Sequence, residues 1–196
     1  SLSDYEAHEG WAGLKRALGL DGAAIVQEVT QSGLRGRGGA AFPAGIKWQT
    51  VLKTDAAQKY VVCNADEGDS GTFSDRMTIA GLAVGATQGY VYIRSEYPHS
   101  VAVMNEAVAR ATDAGYLGDS VCGSGRAFHM HIRKAAGSYV CGEETAMLES
   151  MEGRRAMPRL KPPFPSEVGY LGRPTLINNV ETLANLPAIL RNGGAW

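Results

Sequence analysis

β-prone runs at Tyr60–Cys63, Gly89–Arg94 and Ala127–Arg133 alternate with stretches of helical spacing. Runs so far apart do not form hairpins, and a crossover of about a dozen or more residues is what a parallel pair requires. The pattern predicts an α/β fold, a Rossmann-like three-layer sandwich with a mainly parallel sheet. Helices are expected over Trp11–Leu18, Gly22–Ser32, Ser100–Ala114 and Glu143–Glu152. Val101, Met104, Val108 and Ala111 share one face of the third. Ser138–Val140 is expected as a fourth strand running into the helix at Glu143. A last helix is expected from Asn178, where Asn178-Asn179-Val180-Glu181 resembles a capping box, and Pro187 should bend or divide it. Along the third run Phe128, Met130 and Ile132 fall on one side, with His129 and His131 on the other. The two histidines suit either a metal pair or an exposed strand face, and the alternation with apolar residues favours the exposed face.

Ligands of such sheets bind beyond the carboxyl ends of the strands, so the residues after each strand carry the functional reading. The 196 residues, 44% apolar, suit one domain spanning 1–196. A net charge of −1 argues against nucleic acid as a main partner. No apolar run approaches the ~20 residues of a membrane span. The opening SLSDYEAHEG has no basic region before an apolar stretch, unlike a signal peptide, so a cytoplasmic protein is expected. Cys63, Cys122 and Cys141 lack C-x-x-C pairing and read as reduced thiols, each a small buried hydrophobe.

Gly33–Trp48, GLRGRGGAAFPAGIKW, is glycine-rich and basic. Its backbone can turn sharply and approach a ligand, and Arg35, Arg37 and Lys47 add positive charge. Amides with cations suit a phosphate-bearing cofactor, a nucleotide or flavin. Gly36-Arg37-Gly38-Gly39-Ala40-Ala41 has G-x-G-x-x-A spacing, but Ile25, Val26 and Val29 before it are spaced as a helix, whereas the dinucleotide fingerprint follows a strand. A Walker A loop fails too, because Trp48 follows Lys47.

After the first strand, Asn64-Ala65-Asp66-Glu67-Gly68-Asp69 reads as an acidic turn or, given its place, as a polar cluster facing a ligand. After the fourth, Glu143 and Glu144 stand at a helix start, where the dipole favours negative charge. Met147, Leu148 and Met151 form the buried face of that helix. Arg154–Arg173 is basic and proline-rich, and it suits either a partner-docking tract or, through Arg159, Lys161 and Phe164, a nucleotide's phosphates and base.

GLRGRGGAAFPAGIKW, VCNADEGDSGTF followed by Asp75-Arg76, YVCGEETAMLESMEG, KPPFP and LINNVETLANLPAIL occur in that order. Together they resemble the NADH-binding, FMN-bearing subunit of respiratory complex I. That subunit recurs in NAD-reducing hydrogenases and NAD-dependent formate dehydrogenases, and NADEGDSGTF looks closest to the formate dehydrogenase branch. The resemblance implies FMN and NAD as cofactors and hydride transfer between NADH and the flavin. It places Gly36, Arg37, Gly38, Gly39 and Lys47 at the FMN phosphate and ribityl chain. Asn64, Asp66, Glu67, Gly142, Glu143, Asn178, Asn179 and Thr182 would complete the flavin site. Phe42 and Phe164 would flank the NADH adenine and Asp69 its ribose. Lys161 would lie near the dinucleotide, and Tyr139 and Glu144 near the nicotinamide. No side chain is implied as a catalytic acid or base, and no metal ligand is implied.

This sequence departs from the family in three ways. The ubiquitin-like domain and the cysteines of a four-iron cluster are absent, so no cluster is expected in this chain and iron–sulfur domains or subunits are the expected partners. Most relatives carry an extra acidic stretch between Met77 and Thr78, and Ala41 stands where many have glycine. A module that has lost catalysis is the alternative these departures raise. If Asp69 faces the ribose, it repels a 2′-phosphate. Asp69→Asn should then lower the NADH-to-NADPH ratio of kcat/KM about tenfold, or roughly 1.4 kcal/mol. Ferricyanide reduction with each nucleotide at matched flavin content reads this, and an unchanged ratio with intact NADH turnover would place Asp69 elsewhere.

Overall fold

The computed structural model describes residues 2–65, 74–135 and 139–196. Its sheet comprises β1 (Tyr60–Ala65), β2 (Gln88–Ile93), β3 (His129–Lys134) and β4 (Thr175–Asn179). Every pairing is parallel and the order is β3-β2-β1-β4. The chain thus steps outward from β1 to β3, then returns to the far side of β1 for β4. Successive side chains of a strand point to opposite faces. Val61 and Cys63 accordingly join the larger core, while Val62 joins the smaller one.

The helices before and between the strands build the larger core. They are α1 (Leu2–Ala7), α2 (Ala12–Leu18), α3 (Gly22–Gln31), α4 (Ala44–Lys53), α5 (Ser74–Val84) and α6 (Pro98–Asp113). Asp21 caps α3 by accepting from the Ala24 amide at 2.7 Å. Ile25, Val26 and Val29 turn inward, and the helix gives way to Gly33 at φ +64°. At Gly45 a Cβ would collide with Thr30, so glycine is what lets α4 start hard against α3, directly after the glycine-rich loop. Among the residues of α5, only Arg76 is not fully buried. Met104 and Ala111 of α6 are buried, with Val101 and Val108 packed beside them.

The other sheet face is covered by α7 (Glu144–Met151) and by the strap of residues 154–174. Met147 and Leu148 are fully buried there and Met151 is half-buried. After β4 come α8 (Val180–Ala184) and α9 (Leu186–Asn192), divided as expected, with Pro187 in the first turn of α9.

Three expectations need correction. Tyr139–Gly142 is a 3-10 turn and not a strand; Tyr139 is 86% exposed and pairs with no strand among the described residues. The fourth strand is Thr175–Asn179, so Asn178 lies in the sheet and Asn179 is the cap, accepting from the Glu181 amide at 2.9 Å. Cys122 is exposed in a turn at φ +50°, whereas Cys63 and Cys141 are buried. His131 is exposed and meets Gln88 at 2.8 Å, while His129 meets Asp119 at 3.2 Å. Among the described residues no His, Cys, Asp or Glu group is arranged to hold a metal, and no helix is long and apolar enough to cross a membrane.

The first turn of α5 buries Asp75, which accepts from the Tyr5 hydroxyl at 2.7 Å. Its second oxygen has no partner among the described residues. Burial pushes this carboxyl up from 3.8 to about 6, against the opposing pull of the Tyr5 bond and Arg76. A raised folded-state value means that the native state holds the proton longer than the unfolded chain does. Stability from this group is present below pH 3.8 and is lost as pH rises through about 6. Asp75→Asn should therefore gain on the wild type by about 2 kcal/mol between pH 4 and 7. Urea unfolding of both proteins at the two pH values measures it, and parallel curves would refute it.

Candidate functional site

A cleft of about 700 Å³ opens where β1 and β4 end. Sheet register fixes its floor: Asn64 pairs with Asn179, and Cys63 with Asn178. The glycine-rich loop and the start of α4 form one wall, and the start of α7 with the strap forms the other. Arg35 bridges to Pro43 across the base of the loop, and the Gly36 amide donates to the Phe42 carbonyl at 2.9 Å. Between them residues 37–41 are exposed, with Gly39 at φ +99°. A Cβ on Gly36 or Gly38 would meet only ordinary contacts, so packing within the chain does not demand glycine at either.

Polar groups converge on this space. Lys47 donates to the Ile177 carbonyl at 3.1 Å and stands 3.6 Å from Glu144. Lys161 reaches across from the strap to Glu143 at 3.1 Å and Glu144 at 2.8 Å. Asn64 donates to the Gly142 carbonyl at 2.9 Å, tying β1 to the turn before α7. Burial opposes ionisation of Glu143, but bonds from Thr145, the Ala146 amide and Lys161 outweigh it and hold the carboxyl below its usual range. Burial likewise opposes the charge on Lys161, and its two glutamates more than compensate.

Most of the residues expected at a nucleotide site come together here. Gly36, Gly38, Lys47, Asn64, Gly142 and Glu143 line the cleft, as do Asn178, Asn179 and Thr182. So do Phe42, Glu144, Lys161 and Phe164. Arg37 and Gly39 are not in its lining; the Arg37 amide donates to the Thr182 hydroxyl at 2.9 Å, and the residue borders a smaller hollow behind the loop. Tyr139 lies outside, beside Arg94. Asp66, Glu67 and Asp69 lie outside the described residues. The sequence reading missed Thr50, Ser166, Glu167 and Thr175 at the rim and floor. Nothing in their local pattern marks them, since the β4 pairing and the fold of the strap bring them in.

The donor set suits an anionic, polar, flat ligand. Pro43 gives the start of α4 no side-chain cap, and although the Ala44 amide donates to the Leu34 carbonyl at 2.9 Å, the helix start still faces the cleft with its dipole, as suits a phosphate. Asn178 is 6% exposed, and its Nδ2 has no partner among the described residues. A buried amide without a partner is rare in native structures and signals a missing one. Carboxylates and ammonium groups stand opposite, and two aromatic side chains, Phe42 and Phe164, line the mouth about half-exposed. These residues fit a flavin nucleotide.

Residues 29–188 match the family described as the Nuo51 FMN-binding domain. The NADH-quinone oxidoreductase F 2 subunit of Rhizobium meliloti is 51% identical over 209 aligned residues, covering 100% of this chain and 50% of that protein. The NADP-reducing hydrogenase subunit HndC of Solidesulfovibrio fructosivorans is 49% identical, covering 100% of this chain and 42% of that one. The crystal structure of an NAD+-reducing NiFe-hydrogenase in the H2-reduced state superposes with a TM-score of 0.80 at 39% identity, over 90% of this chain and 32% of that one. The chain spans about half the length, or less, of the curated relatives named here.

Asn178→Leu tests whether the lone amide serves a ligand. It removes a polar atom that is already unpaired, so ligand-free stability should change by no more than about 1 kcal/mol. FMN affinity should fall about tenfold or more. Urea unfolding and flavin-fluorescence titration separate the two, and unaltered FMN binding would show that Asn178 does not serve it.

Proposed function

This chain belongs to the Nuo51 FMN-binding domain family, and from that premise we propose that residues 1–196 form the FMN- and NADH-binding domain of a larger electron-transfer complex. The observation that carries the reading is the convergence of the glycine-rich loop, the ends of β1 and β4, the start of α7 and the strap on one cleft. FMN, when bound, supplies the hydride-accepting and one-electron chemistry that side chains lack. The chain's own task is to bind, orient and exclude water. The glycine-rich loop with Gly36 and Gly38, the start of α4 and Lys47 hold the phosphate end. Asn64, Asn178, Asn179 and Thr182 offer amide and hydroxyl groups to the polar atoms deeper in. Gly142, Glu143 and Glu144 close the opposite wall. Lys161 faces the dinucleotide from the strap, and Phe42 and Phe164 supply apolar surfaces for a base.

Iron–sulfur domains or subunits would take the electrons onward, since the described residues hold no group for a cluster. The formate dehydrogenase branch, suggested by NADEGDSGTF, and a cytoplasmic location belong to the same proposal. So does a ribose contact by Asp69.

The test is an absorption spectrum of the purified protein followed by NADH. A flavin spectrum bleached by NADH, with ferricyanide reduction but no unaided turnover with quinone, formate or hydrogen, is the expected result. Bound flavin that NADH does not bleach would identify a nucleotide-binding module without catalysis. A colourless protein that fails reconstitution with FMN would leave only a structural role.

A further inference from the structure

Four charged side chains lie outside the cleft, at the far end of α7. Glu149 and Glu152 have side chains only 16% and 5% exposed, and both are met by Arg154 and Arg159. Carboxylates this buried are costly unless paired and hydrogen-bonded. Arg159 spends its whole guanidinium there. Its Nε donates to Glu149 at 2.5 Å, Nη2 to Glu152 at 2.9 Å and Nη1 to the Gly169 carbonyl at 3.0 Å. Glu152 also accepts from the Leu171 amide at 2.8 Å, so both limbs of the strap meet one carboxylate. Arg159 is therefore not open to a ligand's phosphate, the role its charge alone suggested.

The Arg159 backbone extends the link towards the cleft. Its amide donates to the Thr145 hydroxyl at 2.8 Å, which donates to Glu143 at 2.5 Å, and Glu143 in turn accepts from Lys161. The strap is thus pinned to α7 at both ends, with Arg159 bonded at each. Two residues further on stands Lys161, and five residues on stands Phe164, both in the cleft lining.

We propose that Arg159 is a positioning residue: by clamping the strap to α7 it places Lys161 and Phe164 for the nicotinamide dinucleotide, without touching either cofactor. This rests on the function proposed above. A clamp of this kind acts on nucleotide binding and leaves the flavin side of the cleft, built from the loop, α4 and β4, as it is.

The experiment compares the FMN-loaded protein with Arg159→Met and Arg159→Lys. Arg159→Met should raise the KM for NADH about tenfold, with kcat within about threefold and FMN content unchanged, the signature of lost uniform binding. Arg159→Lys keeps the charge as a single point donor that cannot bridge two carboxylates and a carbonyl, so its KM should lie between. Hydrogen exchange should rise in residues 159–172 in the same order, Met above Lys above wild type, while β1 and β2 stay protected. If the methionine variant fails to fold, the lysine variant decides. A strap that loses protection with an unchanged KM overturns the positioning role, and so does a fall in kcat that tracks lost flavin while KM stays the same. Unchanged exchange overturns the clamp itself. A wild type that holds FMN but ignores NADH overturns the proposed function, and the positioning role with it.

Discussion

The parallel pairing of β1 with β4 is the constraint on which the site depends. β4 arrives on the side of β1 that the outward steps to β2 and β3 leave free. The helices that follow the two strands, α5 and α8, pack on the same face of the sheet, and the cleft opens where the strands end. Register then does chemical work. Pairing Asn64 with Asn179 brings amide side chains from distant parts of the chain to one floor. A slip by one residue would turn Asn178 towards the opposite face and exchange Leu176 and Ile177 between the two cores they now fill. The fit of each side chain to its own core holds the polar floor in place.

A second dependence is electrostatic. The short helix α7 is flanked by glutamates at both ends: Glu143 and Glu144 face the cleft, and Glu149 and Glu152 face the strap. Glu143 is the cap, accepting from Thr145 and Ala146 amides at 2.8 Å. The strap answers with Arg154, Arg159 and Lys161, and α4 adds Lys47. Prolines deny the strap regular secondary structure, so its position is set by these charges and by the Tyr170 packing beneath it. The two groups differ in solvent access. Arg159 with Glu152 is largely desolvated and feels salt little, whereas the Lys161 pairs at the cleft mouth are more accessible and more readily exchanged for a ligand's phosphate.

The parallel sheet was legible because alternation of β-prone runs with helical spacing has few other solutions. The same local reading hid β4. Asn178-Asn179 resembles a helix start, and the cap is indeed Asn179, but Thr175–Asn179 owes its strand to β1 lying beside it. Tyr139 and Val140 have strand character without a partner strand, and propensity alone does not make a ladder. Side-chain roles were less legible than positions. Arg159 and Lys161 look alike in a basic tract, yet one is spent on buried carboxylates and the other faces the cleft. Only the fold tells which carboxylates each meets.

The cleft also shows what the chain leaves unfinished in itself. Gly36 and Gly38 could bear side chains without collision, α4 starts without a cap, and Asn178 buries an amide that nothing in the described residues accepts. Each feature forgoes stability that a different residue would supply: lower backbone entropy in the unfolded chain, a capped first turn, an apolar filler. Uncapped starts and unpartnered buried atoms also occur elsewhere, at α2 and α6 and on Trp11, Trp48 and Asp75, whereas α3 is capped by Asp21 and α7 by Glu143. Those at the cleft share an explanation of their own. They hold donors and space ready for a ligand that completes them, and such a ligand stabilises the fold in proportion to how tightly it binds.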